Sequence, residues 1–157
     1  MAAGMTEPLY TVEILRLAAS IPHLGGLKDA HGQAEVRSPT CGSTVSVQVK
    51  LDCDGRVSAL GQQVQACAFG QASAALVGSH AVGLRAPEIE KALTDFAGWL
   101  EGTRDNPGDW PGLGALAPAR SRRARHGAML LPFRALLDAI QSASANGLHS
   151  ASTAIDR

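Results

Sequence analysis

Residues 38–76 read SPTCGSTVSVQVKLDCDGRVSALGQQVQACAFGQASAAL. From Thr44 to Leu51, the residues Val45, Val47, Val49 and Leu51 alternate with Thr44, Ser46, Gln48 and Lys50, which is the period of a half-buried strand. Asp54-Gly55 separates this run from a second strand-like run, Arg56 to Gln65, and an Asp-Gly pair in that setting signals a β-hairpin. Register follows by counting. If Asp54 and Gly55 are the two turn residues, paired residue numbers sum to 109 and Gly42 faces Cys67; if the loop is Asp52 to Gly55, they sum to 107 and Cys41 faces Ala66. Both registers make Cys41 and Cys67 neighbours at the open end of the hairpin. Opposed or diagonal Cβ atoms on paired strands lie roughly 4.5 to 8 Å apart, within reach of a shared metal ion or cluster. A bulge would shift the pairing by one residue.

The rest of the chain supplies cover for this hairpin. Its 157 residues, 45% hydrophobic and 18% charged, suit one domain with a real core. Lys plus Arg and Asp plus Glu balance at 14 each, so no general pull toward nucleic acid or an anionic membrane is expected. The N-terminus, Met1-Ala2-Ala3-Gly4-Met5, has no basic start or apolar h-region, and no stretch approaches a membrane span. A cytoplasmic protein is the expectation. Three cysteines are too few for a disulfide framework, and a spaced pair in a reducing compartment points to a metal or reactive site.

In chain order, Tyr10 to Ile21 reads as an opening helix with Tyr10, Ile14, Leu17 and Ile21 on one face and Thr11 as cap. His23-Leu24-Gly25-Gly26-Leu27 ends it, and Ala34 to Ser38 is a short strand that joins the hairpin in a three-stranded antiparallel sheet. Gly70 to Val82, rich in small residues, is a helix able to pack closely. Pro87 starts a clearer one, with Ile89, Leu93, Phe96, Ala97 and Leu100 at helical spacing, ending near Gly102. Arg104 to Gly114 is a turn-rich connection. The last helix, about Ser121 to Ser142, buries Met129, Leu130, Phe133, Leu137 and Ile140, with Pro132 either kinking it or marking a restart. The expected class is α+β: a small three-stranded antiparallel sheet packed against several helices, with a domain over residues 1–143 and a flexible tail over 144–157. No internal repeat is visible.

Position gives the cysteines different prospects. Cys67 lies between the second hairpin strand and the following helix, where free backbone N–H groups and the positive end of the helix dipole favour a negatively charged sulfur. Cys41 sits in a turn next to Gly42, which allows close backbone approach to a ligand. Cys53, in the Asp52-Cys53-Asp54-Gly55 turn at the far end of the hairpin, reads as an incidental exposed thiol. Phosphate-binding glycine loops, Ser-His-Asp arrangements and paired carboxylates suited to acid–base work do not stand out, so a non-enzyme is expected. His23, His31, His80 and His149 receive no role.

Pro39-Thr40-Cys41-Gly42, the alternating strand, the Asp-Gly turn and Ala66-Cys67-Ala68-Phe69-Gly70-Gln71-Ala72-Ser73-Ala74 together resemble the NifU N-terminal, IscU and SufU family of iron–sulfur cluster assembly scaffolds. The Gln71-Ala72-Ser73 triplet is most similar to the SufU-type branch, and the likeness runs from Leu9-Tyr10 to about Ile140. It implies a SufE/NifU-like fold and a labile [2Fe–2S] cluster, iron or zinc held by a cysteine in each motif. It also implies an Asp two residues after the first cysteine and a third cysteine at the start of the last long helix. Here Ser43 stands where that Asp would be, and Arg125-His126-Gly127-Ala128 places Gly127 at the third cysteine. His126, beside that position as a histidine is in the IscU branch, brings an imidazole able to ligate zinc or cluster iron. The implied ligand set is Cys41, Cys67 and His126, with Ser43 a weak fourth group.

Arg120, Arg122, Arg123 and Arg125 lead into His126; such a run serves as a solvated helix face or, through Arg122, Arg123 and Arg125, as a docking patch for an acidic partner. By the resemblance, the partners are a cysteine desulfurase and recipient apo-proteins, with the scaffold a monomer or homodimer. Two other readings stand beside the scaffold: a zinc-binding, sulfurtransferase-like partner that accepts sulfur on a cysteine, and a degenerate member that keeps the fold as an interaction or regulatory module without metal.

Overall fold

A computed structural model of the protein describes residues 10–39 and 42–155. The elements are α1 (Val12–Ala18), β1 (Gly32–Arg37), β2 (Thr44–Leu51), β3 (Val57–Gln65), α2 (Ala68–His80), α3 (Ala86–Glu101), a 3-10 helix (Leu113–Ala119) and α4 (Arg123–Ile155). The strands form an antiparallel meander in the order β1-β2-β3. The class is α+β, as the sequence reads.

The β2–β3 ladder runs from Thr44↔Gln65 to Lys50↔Ala59, so its residue numbers sum to 109, the first of the two registers. The turn reaches it by another route. Asp52 N donates to Arg56 O (2.9 Å), which makes a three-residue loop of Cys53, Asp54 and Gly55, with Gly55 at φ +82°. The side chain of Asp52 accepts from the N–H groups of Asp54 and Arg56, both at 2.9 Å, and so locks the loop. Leu51 therefore pairs with Val57, and an irregularity between Lys50 and Leu51 restores the register of the rest.

Alternation along β2 sends Val45, Val47 and Val49 (0%, 1% and 0% exposed) to the helix-covered face. Each such valine contributes about 1.5–3 kcal/mol relative to an exposed position. Against that face, α4 packs on β1 and β2, while α2 packs on α1 and α4, and α3 packs on α4. β1 comes close enough that a Cβ at Gly32 would strike the α4 backbone at Ala139 and Ala143. Gln62, 1% exposed among these valines, donates to Ala74 O and Pro22 O (both 3.1 Å) and so ties β3 to α2. Phe133 of α4 meets Phe96 of α3 at 5.6 Å and Trp110 at 5.1 Å, and Trp110 Nε1 donates to Leu76 O at 3.0 Å. The expected core positions Met129, Leu130, Phe133, Leu137 and Ile140 of α4 are all buried.

Several boundaries move. α1 stops at Ala18, short of Ile21, the residue before Pro22, where a helical backbone is disfavoured. Thr11 caps it as expected, accepting from Ile14 N at 3.1 Å. Tyr10, expected on the buried face, is 41% exposed, although its ring stacks on Phe69 at 5.1 Å; Leu9 lies outside the described residues. α2 begins at Ala68, two residues before Gly70. The connection after α3 holds the unforeseen 3-10 helix. α4 runs unbroken through Pro132, and its backbone continues past Ser142 to Ile155. Among the described residues no helix is long and apolar enough to cross a membrane.

Candidate metal or cluster site

The end of the sheet opposite the Asp-Gly turn is built from two loops and two helix starts. The β1–β2 connection is closed by Ser38 N donating to Ser43 O (2.8 Å) and Gly42 N donating to Ser38 O (3.2 Å), with Gly42 at φ +73° and open space where a Cβ would point. That φ favours glycine, which adopts it without a Cβ penalty. Thr40 and Cys41, the first expected ligand, lie outside the described residues. Ser43 is 4% exposed. The ladder's last pair, Thr44↔Gln65, sets the Gly42–Ser43 side of the loop at the same end of the sheet as Cys67.

Cys67 is half-buried and is itself the N-cap of α2, rather than lying a few residues before the helix. Its backbone is extended (φ −66°, ψ 171°), its side chain makes no capping hydrogen bond, and its carbonyl accepts from Gln71 N at 2.9 Å. The sulfur thus stands at the positive end of a 13-residue helix. Gln71 turns back to donate from Nε2 to Ala66 O at 3.0 Å, which holds the strand-to-helix step.

The other side comes from the start of α4. A Cβ at Gly70 would lie 2.7 Å from Ala66 Cβ and 3.2 Å from Ala128 O, so only glycine lets the first turn of α2 approach α4 here. Three residues along α2, Ser73 Oγ donates to Met129 O at 2.6 Å in a buried bond. These contacts bring the Arg125–Ala128 segment toward the Cys67 end of α2. His126 is half-buried, and its Nε2 lies 2.8 Å from Arg120 O. Gly127, also half-buried, leaves the expected third-cysteine position without a side chain. Among the described residues no group of three or more His, Cys, Asp and Glu stands together; the described donors at this end are Cys67 and His126. A thiolate and an imidazole are donors suited to zinc and to iron–sulfur iron.

The arginine run divides. Arg122 and Arg123 are exposed and Arg125 is half-buried, whereas Arg120 turns inward: its Nε donates to Trp99 O at 3.0 Å and its guanidinium lies 4.8 Å from the centre of the Trp99 ring. The run is therefore not one solvated face. Cys53 is exposed in its turn, remote from Cys67 along the whole length of the hairpin. The sequence named Gly70 and Ser73 only as members of the second cysteine motif and Arg120 only as part of the basic run; the small-residue pattern of α2 hinted at the packing roles of the first two, and nothing local marks Arg120 as different from its neighbours.

The sequence matches the family described as NifU-like N terminal domain over residues 9–101. No curated protein matches the chain. Among solved structures, a nitrogen-fixing NifU-like protein (N-terminal) from Brucella abortus is 32% identical with a TM-score of 0.82, over 87% of this chain and 95% of that one. A putative iron–sulfur cluster assembly scaffold protein for the SUF system, from Fervidobacterium islandicum AW-1, is 18% identical with a TM-score of 0.76, over 84% of this chain and 96% of that one, and so shares the fold. With a family match over more than half of its length and a structural relative at 32% identity, this chain belongs to the NifU-like N terminal domain family.

Proposed function

We propose that the protein is a scaffold for iron–sulfur cluster assembly, taking a labile [2Fe–2S] cluster or iron as cargo on Cys41, Cys67 and His126, with Ser43 as a secondary group. The single observation that carries this reading is that Gly42–Ser43 and the Cys67 cap of α2 lie at one end of the β2–β3 ladder, with the first turn of α2 packed on α4 at Ala128. Family membership and the likeness to a SUF-system scaffold support it.

The chemistry asked of these residues is holding and release, not bond-making, so the role is non-catalytic. Cys67 offers sulfur at a helix N-terminus, where backbone N–H groups stabilise negative charge. The absence of a carboxylate at Ser43 and of a thiol at Gly127 leaves the site with fewer anionic donors than the family pattern, which suits a weakly held cargo or one completed by a second copy of the chain. Zinc would use the same donors. Arg122, Arg123 and Arg125 would receive acidic surfaces of a cysteine desulfurase or of recipient apo-proteins in the cytoplasm.

Anaerobic reconstitution with iron and sulfide tests this. The expected result is visible charge-transfer absorption that is lost in Cys41→Ser and in Cys67→Ser while zinc alone gives none. Equal absorption in the parent protein and both variants would overturn the proposal.

A further inference from the structure

His126 shows which of its ring nitrogens is available. Nε2 lies 2.8 Å from the backbone carbonyl of Arg120. A carbonyl oxygen only accepts, so Nε2 must carry the hydrogen, and a neutral imidazole then has its lone pair on Nδ1. The carbonyl that dictates this is itself held in place. Arg120 N–H donates to Ala117 O at 3.0 Å at the end of the 3-10 helix. Its side chain folds back across α3, with Nε donating to Trp99 O at 3.0 Å and the guanidinium over the indole at 4.8 Å. Trp99 is 4% exposed and stacked on Phe96 at 6.2 Å, so this anchor is part of the hydrophobic core.

We infer that Arg120 is a positioning residue for His126: its core-anchored carbonyl fixes the Nε2–H tautomer and the ring orientation, and so presents Nδ1 as the ligating atom. The inference deepens the function proposed above in one respect and rests on it there, namely that Nδ1 meets the cargo. Metal-binding histidines commonly donate their second ring N–H to a carbonyl or carboxylate, and losing that partner typically costs about 10–100-fold in metal affinity. In this chain the partner is tied to α3 through a cation–π contact, so the anchor reaches from Phe96 and Trp99 through Arg120 to the His126 ring. One arginine of the basic run is thereby committed to the site's architecture, and Arg122 and Arg123 remain exposed for an acidic partner.

The test is nitrogen-15 NMR of histidine-labelled, metal-free protein, in which the shifts of the two ring nitrogens report which of them carries the hydrogen. The parent protein is expected to hold His126 as Nε2–H. Arg120→Met, which keeps an apolar stem and removes the guanidinium, is expected to give a mixture of tautomers. Arg120→Lys, which keeps a cation over Trp99, is expected to restore much of the parent pattern. An Nδ1–H form in the parent, or a pattern unchanged in Arg120→Met with its amide spectrum still dispersed, would overturn the inference; should Arg120→Met fail to fold, the same pair of outcomes is read from Trp99→Phe. A zinc titration of the same samples separates this from the proposed function. Movement of the His126 Nδ1 signal in the parent, with about 10–100-fold weaker zinc binding in Arg120→Met, supports both. Zinc that binds without moving Nδ1 removes His126 from the ligand set and so refutes that part of the proposed function, while the tautomer result stands.

Discussion

The two sides of the proposed site are held in different ways. On the hairpin side, backbone pairing carries the β2–β3 ladder to Thr44↔Gln65, two residues short of Cys67. On the α4 side, His126 depends on contacts between distant segments: Gly70 against Ala128, Ser73 against Met129, and Arg120 against Trp99. A ladder of main-chain bonds is indifferent to most side chains, whereas a packing contact fails with one methyl group. Of the ligand positions proposed above, the hairpin side keeps both cysteines but has Ser43 in place of a carboxylate, and the α4 side has Gly127 in place of a thiol with His126 beside it. The proposed donor that is new to the set, His126, is therefore on the side whose position is set by packing.

The largest effect is expected where the two sides touch. Gly70→Val forces a branched side chain into the gap between Ala66 and Ala128, and overpacking of this kind costs about 1–3 kcal/mol, a loss that urea unfolding would show. Because the strain separates α2 from the start of α4, metal affinity should fall further than stability does. A variant that binds metal as tightly as the parent would mean that the Gly70 contact does not set the site. Ser73→Ala should be milder. It removes the buried donor to Met129 O, worth about 1 kcal/mol, and should loosen the α4 side while leaving the hairpin register intact, as amide exchange along β2 and β3 would report. Equal loosening of both sides would contradict the division drawn above.

Asp95→Asn should have the smallest effect and serves as the control away from both sides. The Lys91 ammonium, hydrogen-bonded at 2.6 Å, and Arg104 at 3.1 Å hold the Asp95 carboxyl below the usual carboxylate range, against the opposing effect of its burial. A folded-state value below the unfolded one, about 4 for Asp, means that this ion pair adds stability above that pH and loses it as the pH falls through the folded value. The variant should therefore show a shallower loss of stability on acidification, followed by tryptophan fluorescence, with unchanged metal binding. Identical acid profiles would remove Asp95 from the account of acid stability.

The alternation of Val45, Val47 and Val49 and the Asp-Gly pair made the hairpin legible, since both are local signals. Even there the register of 109 arose from a three-residue loop and a compensating irregularity, a detail no count of residues supplies. The α3 boundaries were legible for the same reason: Glu88 accepts from Arg85 N at 3.0 Å next to Pro87, and Gly102 stops the helix. What could not be read depends on partners far along the chain. The 3-10 helix carries Pro118 and follows Gly112, and so looks like more loop. The C-terminal part of α4 is rich in Ser, Ala, Asn and Gly, yet its continuation past Ser142 brings Ala143 against Gly32 and lets Asn146 Nδ2 donate to His31 O at 3.0 Å. Arg120 was indistinguishable from Arg122 and Arg123 until Trp99 was seen beneath it. Cys67 could be named from sequence but not its place as the N-cap, which depends on where α2 begins.

The central claim is that the changed α4 side still supplies a donor to the hairpin cysteines. Its most direct test is the analysis of bound metal and acid-labile sulfide in anaerobically isolated protein, comparing the parent with His126→Ala. Metal with sulfide is expected in the parent, and a marked loss of both in the variant, with the fold intact by circular dichroism. Full metal and sulfide content in His126→Ala would contradict it.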